Sequence, residues 1–255
     1  MKLSVFDTTD AMARAAAHKA AEILREAVAK RGAATFVAAT GVSQFGFLNA
    51  LVGEPDLRWA SMTMFHLDEY VGLPADHPAS FRRYLGERLT SRVPIGRVHF
   101  IQGDAENVEA ELDRLNRLIG QGAVDVAFVG IGENGHLAFN DPPADFTVER
   151  PYILVKLDAA CRRQQLGEGW FASLDDVPRR AISMSIRQIL KARQIICTVP
   201  ERRKSGAIKA CFEGGIGPMA PASILRTHPE CFLFLDREAA SQLSPATLGR
   251  QSCST

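Results

Sequence analysis

The stretch GIGENGHLAFND, residues 130–141, sets three glycines around one histidine and ends on an acid. His136 and Asp141 stand close enough in the chain for a carboxylate to orient an imidazole, as acid–base chemistry requires. Gly130, Gly132 and Gly135 allow tight turns and close substrate approach. The same residues also fit a glycine-rich turn with a satisfied histidine. A second stretch, HLDEYVGLP from His66 to Pro74, puts Asp68 and Glu69 where an apolar run stops. A carboxylate there can be partly desolvated, which moves its pKa towards the range of a general base. Side chains alternate along a strand, so one acid of the pair is expected to face the site; a solvated loop is the plain alternative. In a third stretch, Thr40 and Ser43 flank Gly41 and Val42. Between a strand and a helix such a loop offers unpaired N–H groups and partial positive charge to a phosphate, or acts only as a helix cap. No GxxxxGKS or GxGxxG fingerprint is present.

Alternating strand and helix patterns must position these loops. Apolar residues at steps of three and four predict a helix over about Ala11 to Arg31, capped by Thr8 or Thr9 and stopped by Gly32. Further helices are expected at about Gln44–Leu51, Ser80–Leu89 and Arg202–Glu213, and one capped by Asp104 with Val108, Leu112, Leu115 and Ile119 on one face. Apolar runs predict strands at Ala34–Ala39, Ser61–Leu67, Val124–Val129, Tyr152–Leu157, Gln194–Val199 and Cys231–Leu235. Continuous apolar strands separated by helices imply a doubly wound, mostly parallel α/β sheet with helices on both faces. One domain over 1–255 is expected. Ligands in such sheets bind beyond the carboxyl ends of the strands, so the loops after Ala39, Leu67 and Val129 should carry the site.

Hydrophobic residues make up 46% of the 255, enough for a sizeable core. A net charge of +1 argues against nucleic acid as a partner, since backbone binding needs a strongly basic face. No apolar run reaches membrane-span length, and the start has no signal-like stretch. Cys161, Cys197, Cys211, Cys231 and Cys253 are scattered and odd in number. They suggest a reducing cytoplasm, with no disulfide framework and no metal site; Cys197 and Cys231 read as buried small hydrophobes. No His-x-x-x-His spacing appears.

At ATGVS, HLDEYVGLPADHPASFRRYL, VGIGENGHLAFNDP and RKSGAI the chain resembles the glucosamine-6-phosphate deaminase family, within the superfamily that also holds 6-phosphogluconolactonases. The resemblance runs in order along nearly the whole chain, and the second and third matches are long and specific. It implies a hydrolase or isomerase acting on an aminosugar phosphate: ring opening, C2-to-C1 proton transfer, then loss of ammonia to give fructose 6-phosphate, with no cofactor. Asp68 matches the base and His136 the ring-opening residue. Asp141 matches a ring-opening carboxylate that is usually glutamate, and Asn134 a position often held by aspartate. Thr40, Gly41, Val42 and Ser43 match the phosphate loop, and Lys204 the phosphate lysine. Gly130 and Ala138 match backbone positions lining the sugar. A lid is expected around 151–180, and a homo-oligomer stays open. The family's lid arginine has no clean counterpart: Arg162 matches an earlier arginine, leaving Arg163 or another chain as substitutes. A lactonase-type hydrolase, a deaminase for another hexosamine phosphate, and a non-catalytic sugar-phosphate sensor are the rival readings.

Overall fold

A computed structural model describes residues 1–167 and 169–249; Glu168 of the expected lid, and Cys253, lie outside the described residues. The strands are β1 (Lys2–Phe6), β2 (Ala34–Ala38), β3 (Met62–His66), β4 (Asp68–Tyr70), β5 (Arg97–His99), β6 (Val126–Val129), β7 (Tyr152–Lys156), β8 (Arg180–Met184), β9 (Gln194–Val199) and β10 (Cys231–Asp236). The helices are α1 (Thr9–Arg31), α2 (Phe45–Val52), α3 (Phe81–Leu85), α4 (Val108–Ile119), α5 (Ala159–Gly167), α6 (Ile186–Leu190), α7 (Ser205–Glu213) and α8 (Pro245–Leu248).

Seven strands form one parallel sheet in the order β1-β10-β9-β6-β2-β3-β5. Their residues alternate between two cores. Phe36, Ala38, Val126 and Phe128 pack with α1 and α2 on one face. Val37, Ala39, Ala127 and Val129 pack with α4, α6 and α7 on the other. Both faces being covered explains why the central strands read as mostly apolar runs. Helix α1 fits closely because Ala16, Ala17, Ala20 and Ala21 form its buried face. Thr8 caps it by accepting from the Ala11 N–H, and Gly32 ends it at φ 76°, a left-handed conformation that glycine adopts without strain.

Three expectations change. Tyr152–Leu157 does not join the parallel sheet: β7 pairs antiparallel with β8, and β8 with β4, in a separate three-stranded sheet. The side chain capping α4 is Asn107, which accepts from the Ala110 N–H, while Asp104 pairs with Arg82 at 2.9 Å. The helix expected over 80–89 is α3 followed by a wider π turn at Gly86–Thr90. The small sheet, α5 and the loop after it enclose a third apolar cluster around Tyr70, Phe139, Cys161 and Phe171. The described cysteines are buried thiols, and Cys197 and Cys231 sit fully inside as expected. Among the described residues no helix is long and apolar enough to cross a membrane.

Candidate active site

The chain leaves β2 towards β3 and β5 on one side, then returns to β6 on the other. That reversal opens a crevice at the carboxyl ends of β2 and β6. Into it come the loop after β2 and the loop after β6, with the turn after β9 beside them. Gly41 takes φ 97°, ahead of a short 3-10 turn at Val42–Gln44 and then α2. The Tyr84 hydroxyl donates to the Gly41 carbonyl at 2.9 Å, and buried Gln44 donates from Nε2 to Thr198 Oγ1 at 2.8 Å. A Cβ on Gly130 would lie 3.2 Å from both Ser43 Oγ and Gln44 Nε2, so the two loops meet at a glycine.

After β9 the backbone turns through Glu201 at φ 80°, ψ 137°, a strained conformation for a side-chain-bearing residue and worth roughly 1–3 kcal/mol. The Asp236 carboxylate holds it there, accepting the Glu201 N–H at 3.1 Å. The turn delivers Arg203 and Lys204 to the cleft, with Lys204 buried. Arg203 donates to Glu133 Oε1 at 3.0 Å and also pairs with Glu201.

Asp68 and Glu69 point to opposite sides, as strand alternation requires. Asp68 is 7% exposed and lines the cleft. Glu69 is fully buried and accepts from the N–H groups of Tyr70 (2.9 Å), Phe81 (3.2 Å) and Arg82 (2.8 Å) and from the Ser80 hydroxyl (3.0 Å). Burial raises its pKa, against the opposing pull of those donors. Glu69 therefore ties β4 to the first turn of α3 and fixes the strand that presents Asp68.

In the glycine loop His136 Nδ1 lies 3.1 Å from Asp141 Oδ1, a charge-pair distance outside the angular range of a hydrogen bond. Asn134 Nδ2 donates to the same oxygen at 2.8 Å, and Asn134 Oδ1 accepts the His136 N–H at 3.1 Å. Burial pushes the Asp141 carboxyl up; His136 beside it, then Cys161 and Asn134, outweigh that and hold its pKa down to about 2. It stays an anion at neutral pH. Ala138 takes φ 50° as the chain doubles back, and Asn140 locks the turn by donating to the carbonyls of Leu137 (2.8 Å) and Met184 (2.9 Å).

The result is one cleft of about 610 Å³. Thr40, Gly41, Val42, Ser43 and Lys204 line one part; Asp68, Gly130, His136 and Ala138 line the rest. Asn134 and Asp141 stand behind His136 rather than on the wall. Sequence reading did not assign Phe81, Gln164, Gln165 or Arg203, which also line the cleft. Gln164 and Gln165 come from α5, and the Tyr70 hydroxyl donates to Gln165 Oε1. Their spacing carried no signal; Arg203 lay in plain sight beside Lys204 in RKSGAI. Arg162 is buried, its guanidinium donating to the carbonyls of Val177 (3.0 Å) and Leu174, and Arg163 is exposed and off the cleft wall.

A family model described as glucosamine-6-phosphate isomerases/6-phosphogluconolactonase matches residues 7–233. The chain is 38% identical over 222 residues to a glucosamine-6-phosphate deaminase of Streptococcus pneumoniae serotype 4, covering 87% of this chain and 93% of that one. It superposes on a monomeric glucosamine-6-phosphate deaminase with TM-score 0.86 at 31% identity, covering 94% of this chain and 99% of the other. A 6-phosphogluconolactonase from Shewanella baltica shares the fold, with TM-score 0.76 at 21% identity over 92% of this chain and 97% of that one.

Proposed function

The chain belongs to the glucosamine-6-phosphate isomerase/6-phosphogluconolactonase family, and we propose that within it this protein is a glucosamine-6-phosphate deaminase. The observation that carries this is the meeting, in one cleft, of a strand-end carboxylate, a histidine–carboxylate pair and a hydroxyl-rich loop beside a buried lysine. The phosphate sits at Thr40–Ser43, where the turn into α2 presents N–H groups and hydroxyls, and Lys204 adds a positive charge. That contact fixes the sugar with its ring towards His136. His136, its ring beside Asp141 and its backbone N–H held by the Asn134 side-chain oxygen, moves the proton between ring oxygen and anomeric hydroxyl that opens the pyranose. Asp68 removes the C2 proton of the open aldehyde and returns it to C1. The product is a C2 imine; water adds to it and ammonia leaves, giving fructose 6-phosphate. Each such proton-transfer group supplies about 10²–10⁴-fold.

Helix α5 and the loop after it act as a lid, bringing Gln164 and Gln165 over the cleft and shielding the deprotonated intermediate from stray protonation before its proton is returned to C1. Four buried thiols suit a reducing cytoplasm. Ammonia release across a panel of hexosamine 6-phosphates tests the reading. Glucosamine 6-phosphate should give the highest kcat/KM. Hydrolysis of 6-phosphogluconolactone without ammonia release from any hexosamine phosphate would defeat it.

A further inference from the structure

A phosphate monoester carries about −1.5 to −2 charges at neutral pH, and drawing it into a cleft is costly unless cations and N–H donors offset that charge. Among the described residues lining the cleft, the basic side chains are His136, Arg203 and Lys204. His136 is paired with Asp141 and assigned above to ring opening. The segment expected to bring an arginine over the phosphate brings glutamines instead: Gln164 and Gln165 face the cleft, while Arg162 is engaged with Val177 and Leu174.

We propose that Arg203 is the second phosphate-binding cation of this site, gripping the phosphate from the turn after β9, next to Lys204, rather than from the lid. The inference rests on the phosphate-bearing substrate proposed above. Arg203 and Lys204 leave the same short turn, whose direction is set by the strained Glu201 and its bond to Asp236. The guanidinium donates to Glu133 Oε1 at 3.0 Å and also pairs with Glu201, and the side chains of both pairs are more than a third exposed. Exposed pairs of this kind hold weakly. They keep the arginine at the cleft while substrate is absent and yield to a doubly charged anion that the planar fork of N–H donors fits well. Specificity for the phosphorylated sugar then comes from a rigid element, and lid movement leaves the phosphate contacts intact.

The test compares the parent enzyme with Arg203→Ala, Arg203→Gln, Arg203→Lys and, for scale, Lys204→Ala. Three quantities are read: KM and kcat for ammonia release, the dissociation constant of inorganic phosphate by calorimetry, and the melting temperature. Loss of a charge-assisted contact should raise both KM and the phosphate constant by about 10- to 100-fold in Arg203→Ala and Arg203→Gln. The value of kcat should stay within about threefold, and Arg203→Lys should fall between. A phosphate constant within about twofold of the parent's, with a lower melting temperature or kcat, would overturn the proposal and make Arg203 a brace for Glu133. A parent enzyme that released no ammonia would sink the substrate reading instead, and the phosphate titration would still decide Arg203.

Discussion

Replacing Gly132 by alanine should disable this site through one side chain. An added Cβ at Gly132 would lie 2.2 Å from His136 Cε1, 2.4 Å from Nε2 and 2.5 Å from Nδ1. Gly132 is not among the positive-φ glycines, so its backbone conformation admits alanine. The three nearest atoms it would meet all belong to the ring. To regain ordinary contact at about 3.4 Å the nearest ring atom must retreat by roughly 1.2 Å. The ring has somewhere to go, because it faces the cleft. Swinging there breaks the 3.1 Å approach to Asp141. A misplacement of about 1 Å can lower the rate about 10²-fold, or roughly 2.7 kcal/mol of barrier. The loss of stability should be smaller, about 1–2 kcal/mol for local overpacking. In an ammonia-release assay kcat should therefore drop about 10²-fold. KM should change little, since the phosphate loop and Lys204 are not displaced. A Gly132→Ala enzyme that keeps kcat within about threefold of the parent would refute the argument that this glycine exists to make room for His136.

Two further outcomes are expected. Asp68→Asn should lower kcat by about 10²-fold or more while fructose 6-phosphate still binds; retention of half the rate would remove Asp68 from the role of base. His66 is fully buried, and first that burial and then the Arg82 charge hold its pKa down to about 3. A depressed value means the protein is favoured while His66 is neutral. That contribution is complete above the unfolded value of about 6.5 and is lost as pH falls towards 3, at up to about 1.4 kcal/mol per pH unit. Denaturant titrations at pH 7.5, 6.5 and 5 should show a shallower acid decline for His66→Leu than for the parent; equal declines would show that His66 does not set this limb.

The amino-acid sequence by itself determines the kind of sheet and the loops that matter. Runs such as Phe36–Ala39 and Val126–Val129 stay apolar at successive positions because both faces are covered, and that condition is written locally in the chain. Strand alternation likewise separates the two adjacent acids, and five positions from His136 to Asp141 are few enough to bring imidazole and carboxylate together. Strand partners far apart in the chain are another matter. That β1 closes the sheet against β10 depends on a contact more than two hundred residues away, and a three-residue strand such as β5 has no period to read. The antiparallel sheet of β4, β8 and β7 was hidden for the same reason: Tyr152–Leu157 reads as an ordinary apolar run, Asp68–Tyr70 reads as an acidic loop, and the pairing and direction are set only by where the chain returns. The functions of single residues divided in the same way. Glu69 became a buried anchor for α3, Gly132 a vacancy for the His136 ring, and Arg203 a cleft residue where Arg162 did not. Each of these follows from which atoms meet across separate segments, and only the folded chain fixes those meetings.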